Sequence, residues 1–170
     1  MNEHELFQTV LDSTFVKTDV MRRTRIIREF LEQKFYTPGE KRPLKEFLEH
    51  VNTSADDIQT MERWGDPFFS SFTKENAYDL LEKVKGHVKD LPTINLYVPV
   101  LLGPSEIPKL GAWFRTNVDK KILIELHVEP STFGGCAFAW NGVYVDYSLR
   151  HYLHTRLDAV RKVLSDYERK

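Results

Sequence analysis

A single cysteine, Cys136, stands in the whole chain. No intramolecular disulfide can staple the fold, and a reducing compartment is the natural setting. Long hydrophobic runs are missing as well: no apolar stretch approaches the roughly 20 residues that cross a bilayer. The opening segment, Met1 to Asp12, carries Glu3, Glu5 and Asp12 and lacks the basic-then-apolar order of a secretory signal. These absences predict a soluble, non-exported protein that works at a membrane only by docking to something embedded there. An excess of either charge is absent too, since 24 Lys and Arg stand against 25 Asp and Glu, for a formal net charge of -1. That balance argues against a protein whose main task is gripping phosphate backbones.

What is present suffices for a core. Hydrophobic residues make up 41% of the 170, with 11 Phe, 7 Tyr and 3 Trp, which suits one sizeable domain or two small ones. The first ninety or so residues read as short helices. Leu6, Phe7, Val10 and Leu11 open an amphipathic segment, and Val20, Thr24, Ile27 and Leu31 recur at helical spacing with Phe30 beside them. Thr37-Pro38-Gly39-Glu40 is a turn signal. Pro43 can start a third helix that buries Leu44, Phe47, Leu48 and Val51. Ser54 with Asp57 predicts a cap ahead of Ile58, Met61 and Trp64, and Gly65-Asp66-Pro67 is expected to end that helix. Thr73 is a candidate N-cap for a last helix with Ala77, Leu80, Leu81, Val84 and Val88 on one face. Helices this short must pack together to persist in water.

At Asp90-Leu91-Pro92 the period changes to alternation. Ile94, Leu96, Val98 and Val100 point one way and Thr93, Asn95, Tyr97 and Pro99 the other. Pro99 cannot donate to a ladder, so this strand is expected to lie at an edge or to end nearby. Ser105 precedes a helix carrying Leu110, Trp113, Phe114 and Val118, with Pro108 confined to its first turn. A second strand sets Ile122, Ile124, Leu126 and Val128 against Glu125, His127 and Glu129. A third alternates Cys136, Phe138 and Trp140 with Ala137 and Ala139. Asn141-Gly142 then signals a hairpin, because both central residues of a type I′ turn need positive φ. Val143-Tyr144-Val145 returns the chain to one long final helix, whose inner side is expected at Leu149, Tyr152, Leu153, Arg156, Leu157, Val160, Val163 and Leu164. The predicted fold class is α+β: an all-α helical bundle over residues 1–90, then a small α+β domain over 91–170 in the order strand, helix, strand, hairpin, helix.

Between Glu129 and Arg150 a pattern stands out: an acidic residue, Pro-Ser, two further positions, Gly-Gly, an apolar strand, a turn with Gly, a second strand and Asp-x-Ser. Glu129, Pro130, Ser131, Gly134, Gly135, Asp146, Ser148 and Arg150 occupy it without a gap. Gly-Gly admits backbone angles that other residues resist. Asp146 and Ser148 sit where the last helix begins and are candidates to accept its free N–H groups, and Arg150 could pair with Asp146. The segment resembles the C-terminal signature of the delta subunit of F-type ATP synthases and of its mitochondrial counterpart, the oligomycin-sensitivity-conferring protein. Val98-Pro99-Val100 is similar to the family's Val-Pro-Leu, and the resemblance covers about the last 80 residues. The N-terminal half departs from it, with five helices where the family has a six-helix bundle and Glu5-Leu6-Phe7 where an Ala-Leu-Phe is common.

The resemblance implies a non-catalytic stator subunit of a rotary proton-translocating ATP synthase, without cofactor or metal. Residues 1–90 would bind the noncatalytic subunits of the catalytic head, and residues 91–170 would bind the peripheral-stalk helices. It also implies a peripheral position on the cytoplasmic face of a bacterial plasma membrane, reached only through the complex, with a mitochondrial or plastid matrix as the alternative. The chain shows no transit peptide, which favours the bacterium. The competing readings are a generic protein–protein adaptor that reuses the same domain and, third, an enzyme.

A few residues could carry sharper chemistry. Cys136 with His127, His151 and His154 is a conceivable nucleophilic set, but Cys136 shares a face with Phe138 and Trp140, which predicts core packing. His151 and His154 are three apart on a helix, fewer ligands than a zinc site needs. Gly134-Gly135 lacks the Lys-Ser/Thr that a phosphate loop requires. Arg22, Arg23, Arg25 and Arg28 form a basic cluster, expected as a solvated face or, at Arg22 and Arg25, as a contact for an acidic partner. No aromatic residues interleave them for nucleic-acid stacking. His154, Asp158 and Arg161, on the outer side of the last helix, are candidate stalk contacts.

Overall fold

Capping side chains start helices at several of the expected places. The computed structural model describes residues 1–37, 39 and 42–168, with the backbone alone at Val163, Leu164 and Glu168. Asn2 Oδ1 accepts from the Glu5 N–H while Glu5 Oε2 accepts from the Asn2 N–H, a capping box that opens α1 (Glu3–Asp12). α2 (Lys17–Tyr36) follows, then α3 (Leu44–His50), α4 (Ala55–Ser70) and α5 (Ala77–Lys89). Of the turn signal after α2, Pro38 and Glu40 lie outside the described residues. Ser54 Oγ accepts from the Asp57 N–H at 3.2 Å and starts α4 as expected. Thr73 and Asn76 bond each other's backbone N–H groups in the turn that leads into α5.

The apolar positions at helical spacing are mostly inside. Leu6, Phe7, Val10 and Leu11 of α1 are buried, as are Val20, Ile27, Phe30 and Leu31 of α2 and Leu81, Val84 and Val88 of α5. Phe30 meets Phe47 and Phe69 with ring centroids 5.5 Å apart, so α2, α3 and α4 share one core. Val51, expected in that core, is exposed at the C-terminal end of α3.

The break at Gly65 took a different form from the one expected. Gly65 has φ 66° and ψ -177°, which ends the regular helical path, yet a second helical segment follows directly and runs to Ser70. Pro67 falls in the first turn of that segment, where its missing N–H costs nothing. The extra segment buries Phe68 and Phe69.

The second half supplies four strands: β1 (Thr93–Val98), β2 (Leu123–Val128), β3 (Ala137–Trp140) and β4 (Val143–Asp146). Their order in the sheet is β2-β1-β3-β4, with β1/β3 and β3/β4 antiparallel. β1 is therefore interior, and it avoids the cost of Pro99 by ending at Val98. Asn141 and Gly142 have φ 49° and 76°, as a type I′ hairpin requires. Helix α6 (Glu106–Asn117) connects β1 to β2, and a 3-10 turn, Pro130–Thr132, connects β2 to β3.

The chain is a mixture of helix and sheet that divides into two compact units, Met1–Pro92 with Pro104–Leu123, and Thr93–Gly103 with Ile124–Lys170. A division at residue 90 thus leaves α6 on the other side, because α6 packs with the first unit. Arg115 is the reason. Its guanidinium donates to Leu11 O at 2.7 Å and Thr14 O at 2.6 Å, and it lies 4.4 Å from the centre of the Phe15 ring. Gly111, one turn earlier, lets the Phe15 side chain approach so closely that any Cβ would lie within 3.0 Å of it. Phe114 is buried on this side, whereas Trp113 and Val118, expected on the inner face, are exposed.

The expected single last helix is two: α7 (Leu149–Thr155) and α8 (Leu157–Glu168), interrupted at Arg156 with φ -121° and ψ 23°. Leu149, Tyr152, Leu153, Arg156 and Leu157, expected on an inner side, are exposed, and Val160 is half-buried. The side chains of Val163 and Leu164, expected on the same side, lie outside the described residues. Apolar spacing set which residues share a face of α7, but it did not supply a surface within the chain to bury Leu149, Tyr152 and Leu153.

Candidate functional site

The sequence pattern from Glu129 to Arg150 folds into one corner of the second unit. Pro130 and Ser131 begin the 3-10 turn, which Glu129 caps by accepting from the Ser131 N–H at 3.3 Å. The chain then passes Gly134 and Gly135. Gly135 has φ +71°, and a Cβ there would lie within 3.0 Å of the Tyr147 carbonyl oxygen. This close approach lets Tyr147 N–H donate to Cys136 O and Leu149 N–H donate to Gly134 O, both at 2.9 Å. The two strands of the β3–β4 hairpin are thereby tied to the start of α7.

Ser148 performs the expected capping, whereas Asp146 accepts from the N–H of the cap residue itself and not from the helix. Ser148 Oγ accepts from the His151 N–H at 3.1 Å, and Asp146 Oδ1 accepts from the Ser148 N–H at 2.8 Å. These bonds to the charged form hold the Asp146 carboxyl below its ordinary pKa, and the bonds from Ser131 do the same for Glu129. Arg150 does not take the expected role. Its guanidinium donates to Ser131 Oγ at 3.1 Å, bracing the 3-10 turn against the first turn of α7 instead of pairing with Asp146. Cys136 is half-buried.

The arginine cluster of α2 is partly internal, which corrects its reading as a solvated face. Arg23 is only 2% exposed. Its Nε donates to Asp57 Oδ1 at 2.7 Å, and its other nitrogens reach Asp56, Thr14 Oγ1 and Ser13 O. Arg22 forks onto Asp57 and also bonds Asp19. Asp57, itself buried, accepts from both arginines and from Ser54 Oγ. Burial alone would raise its pKa, but the hydrogen bonds from Arg22 and Arg23 outweigh burial and lower it. The same bond to Asp57 raises the Arg22 pKa. Arg22 is therefore held by Asp57 and Asp19 although its side chain stays 39% exposed. Arg25 and Arg28 do face outward, beside Glu29 and Glu32 one turn on. Arg22 and Arg25 border a cleft of about 410 Å³ between α2 and the start of α4, with Glu29 and Asp57 also in its wall.

His154, Asp158 and Arg161 are all exposed, as expected for a partner-facing surface. Asp158 and Arg161 lie 3.8 Å apart on α8, whereas His154 stands on α7, across the interruption at Arg156. Beside them run the exposed apolar residues Leu149, Tyr152, Leu153 and Leu157. Among the described side chains of α7 and α8 none is buried. These exposed apolar residues are the largest departure from the sequence-based expectation, and the apolar spacing already named them. The buried Arg–Asp network and the Arg115 clasp carried no such signal, since Asp56 and Asp57 lie 33 to 35 residues from Arg22 and Arg23, and Leu11 and Thr14 lie 104 and 101 from Arg115.

Among the described residues no group of three or more His, Cys, Asp and Glu side chains is placed to hold a metal. No helix is long and apolar enough to cross a membrane, again among the described residues. Neither a model of any known protein family nor any curated protein matches this chain.

Proposed function

We propose that the chain is a non-catalytic stator subunit of a rotary proton-translocating ATP synthase, similar to the delta subunit. In this reading it links the catalytic head to the peripheral stalk, so that the head does not turn with the rotor. The observation that carries the reading is the run of exposed apolar residues Leu149, Tyr152, Leu153 and Leu157 along α7 and the start of α8, sited directly after the delta-like Gly-Gly and Asp-x-Ser corner. An amphipathic helical surface of this kind receives another amphipathic helix, with leucines and tyrosines as anchors. Peripheral-stalk helices are the partner that the resemblance supplies.

The helices of residues 1–90 would act as a bundle that holds the N-terminal ends of the noncatalytic head subunits. The later α+β domain would hold the stalk. The task needs tight non-covalent binding and no bond-making chemistry. Its place would be peripheral, on the cytoplasmic face of a bacterial plasma membrane, with the complex as its only tie to the lipid.

A double variant tests the assignment of surfaces. Leu153→Asp with Leu157→Asp places two charges on exposed positions, so folding is retained while an apolar docking face is spoiled. Co-purification with stalk helices should be lost and association with the head retained. Arg161→Glu should weaken stalk binding as well. A double variant that still holds the stalk would remove α7 and α8 from the interface, and a chain that binds neither partner would leave only a generic adaptor.

A further inference from the structure

The alternation of β1, β3 and β4 builds a second surface that the stator reading does not use. Cross-strand partners share a face of a sheet, and the register pairs Asn95 with Ala139, Tyr97 with Ala137, Ala139 with Tyr144 and Ala137 with Asp146. Tyr97 and Tyr144 therefore lie on one face, two strands apart, where backbones are separated by about 9–10 Å. Their rings nevertheless meet at 6.2 Å, edge to face, because β3 places only alanines between them. On the other side of Tyr97, His127 of β2 stacks at 4.8 Å and 18°, and its Nε2 lies 3.1 Å from Asn95 Oδ1. Tyr97 and His127 are half-buried, and Tyr144 is 60% exposed. A row of three aromatic rings thus crosses the sheet over an alanine floor.

Two carboxylates, Glu129 and Asp146, stand at the end of this row against one guanidinium, Arg150, which sits on Ser131 Oγ and whose field acts on both. Asp146 shares the face by register. Glu129 stands two residues after His127, and its N–H donates to Val98 O at 2.7 Å, next to Tyr97 in β1. Burial raises the Tyr144 hydroxyl pKa, and the fields of Asp146, Tyr97 and Glu129 raise it further. Both carboxylates are held ionised by backbone N–H groups. Aromatic faces attract cations, and a planar guanidinium stacks on them while its edge bonds carboxylate oxygens. A phosphate chain would meet Glu129 and Asp146 with like charge.

We propose that the Tyr97–His127–Tyr144 face, with Glu129 and Asp146 at its end, docks an arginine-bearing segment of a partner protein. One guanidinium lies over the exposed Tyr144 ring and turns its N–H edge toward Asp146, two residues along the same face of β4, while Glu129 adds negative charge at the far edge. Neighbouring aliphatic carbons of the segment cover Tyr97. The site is independent of the stator reading, and failure to assemble with an ATP synthase would leave it standing.

The test is titration of the full 15N-labelled chain with a short synthetic peptide of alternating glycine and arginine. Its citrulline counterpart and an oligouridylate of similar length serve as comparisons. Amide shifts should move at Tyr97, His127 and Tyr144, and the citrulline peptide should bind about 10-fold more weakly, since it keeps the shape and loses the charge. Tyr144→Ala, at an exposed position, should abolish these shifts with the spectrum otherwise intact. Glu129→Gln, which keeps an acceptor for the Ser131 N–H, should weaken binding several-fold. Shifts that are absent, that lie elsewhere, that survive Tyr144→Ala, or that citrulline or oligouridylate reproduces at equal affinity would overturn the proposal.

Discussion

Replacing Gly135 with alanine puts the corner before α7 to a quantitative test. The residue has φ +71°, and the new Cβ would lie within 3.0 Å of the Tyr147 carbonyl oxygen, which is backbone and cannot swing aside. A left-handed conformation costs a residue with a Cβ about 1–2 kcal/mol. Relief of the contact must also disturb the bonds Tyr147 N–H to Cys136 O and Leu149 N–H to Gly134 O, each worth about 1 kcal/mol. The sum, about 3–4 kcal/mol, is a large share of the stability of an ordinary domain. In a chain of this size it lowers the melting temperature by roughly 6–16 °C. Gly134→Ala is the internal control. Its Cβ would find the Leu149 Cβ at 3.7 Å, an ordinary contact, so its change should stay within about 1 kcal/mol. Thermal unfolding of both variants, followed by circular dichroism, reads the difference. If Gly135→Ala melts within two or so degrees of Gly134→Ala, the close approach to Tyr147 is not what the glycine provides.

Asp57→Ala should destabilise the first unit by about 3–5 kcal/mol in urea unfolding, because it leaves Arg23 buried without its main counter-charge. The lowered Asp57 pKa also sets a pH dependence. The stabilisation is complete above the unfolded value, about 3.9, and is lost as pH falls through the folded one. The wild type should therefore lose stability steeply below about pH 4, and Asp57→Asn should show a shallower slope there. Ser148→Ala removes the N-cap of α7 and should cost about 1 kcal/mol, with faster hydrogen exchange at the His151 amide as the local readout.

Much of the architecture was legible because local rules decide it. The 3.6-residue spacing of Leu6, Val10, Val20, Ile27, Leu31, Leu81, Val84 and Val88 named the buried sides of three helices. Asn141-Gly142 marked its hairpin, and Ser54 and Ser148 marked their helix starts. Long-range chemistry was not legible. Four arginines in seven residues resemble a solvated stripe until Asp56 and Asp57 are brought to them by the fold. Arg115 likewise reads as a surface charge, yet two carbonyls at the end of α1 draw it in and burial lowers its pKa. The last helix shows the opposite error. Its apolar spacing is real, but periodicity names a face and not the body that covers it, and here Leu149, Tyr152, Leu153 and Leu157 are exposed.

Gel filtration of a three-component mixture tests the stator reading most directly: the full chain, the catalytic head and the peripheral-stalk helices of an ATP synthase from the same cell. Head and stalk should elute separately without the chain and together with it, and Leu153→Asp with Leu157→Asp should release the stalk alone. Elution of the chain by itself, with head and stalk unaffected by its presence, would contradict the account.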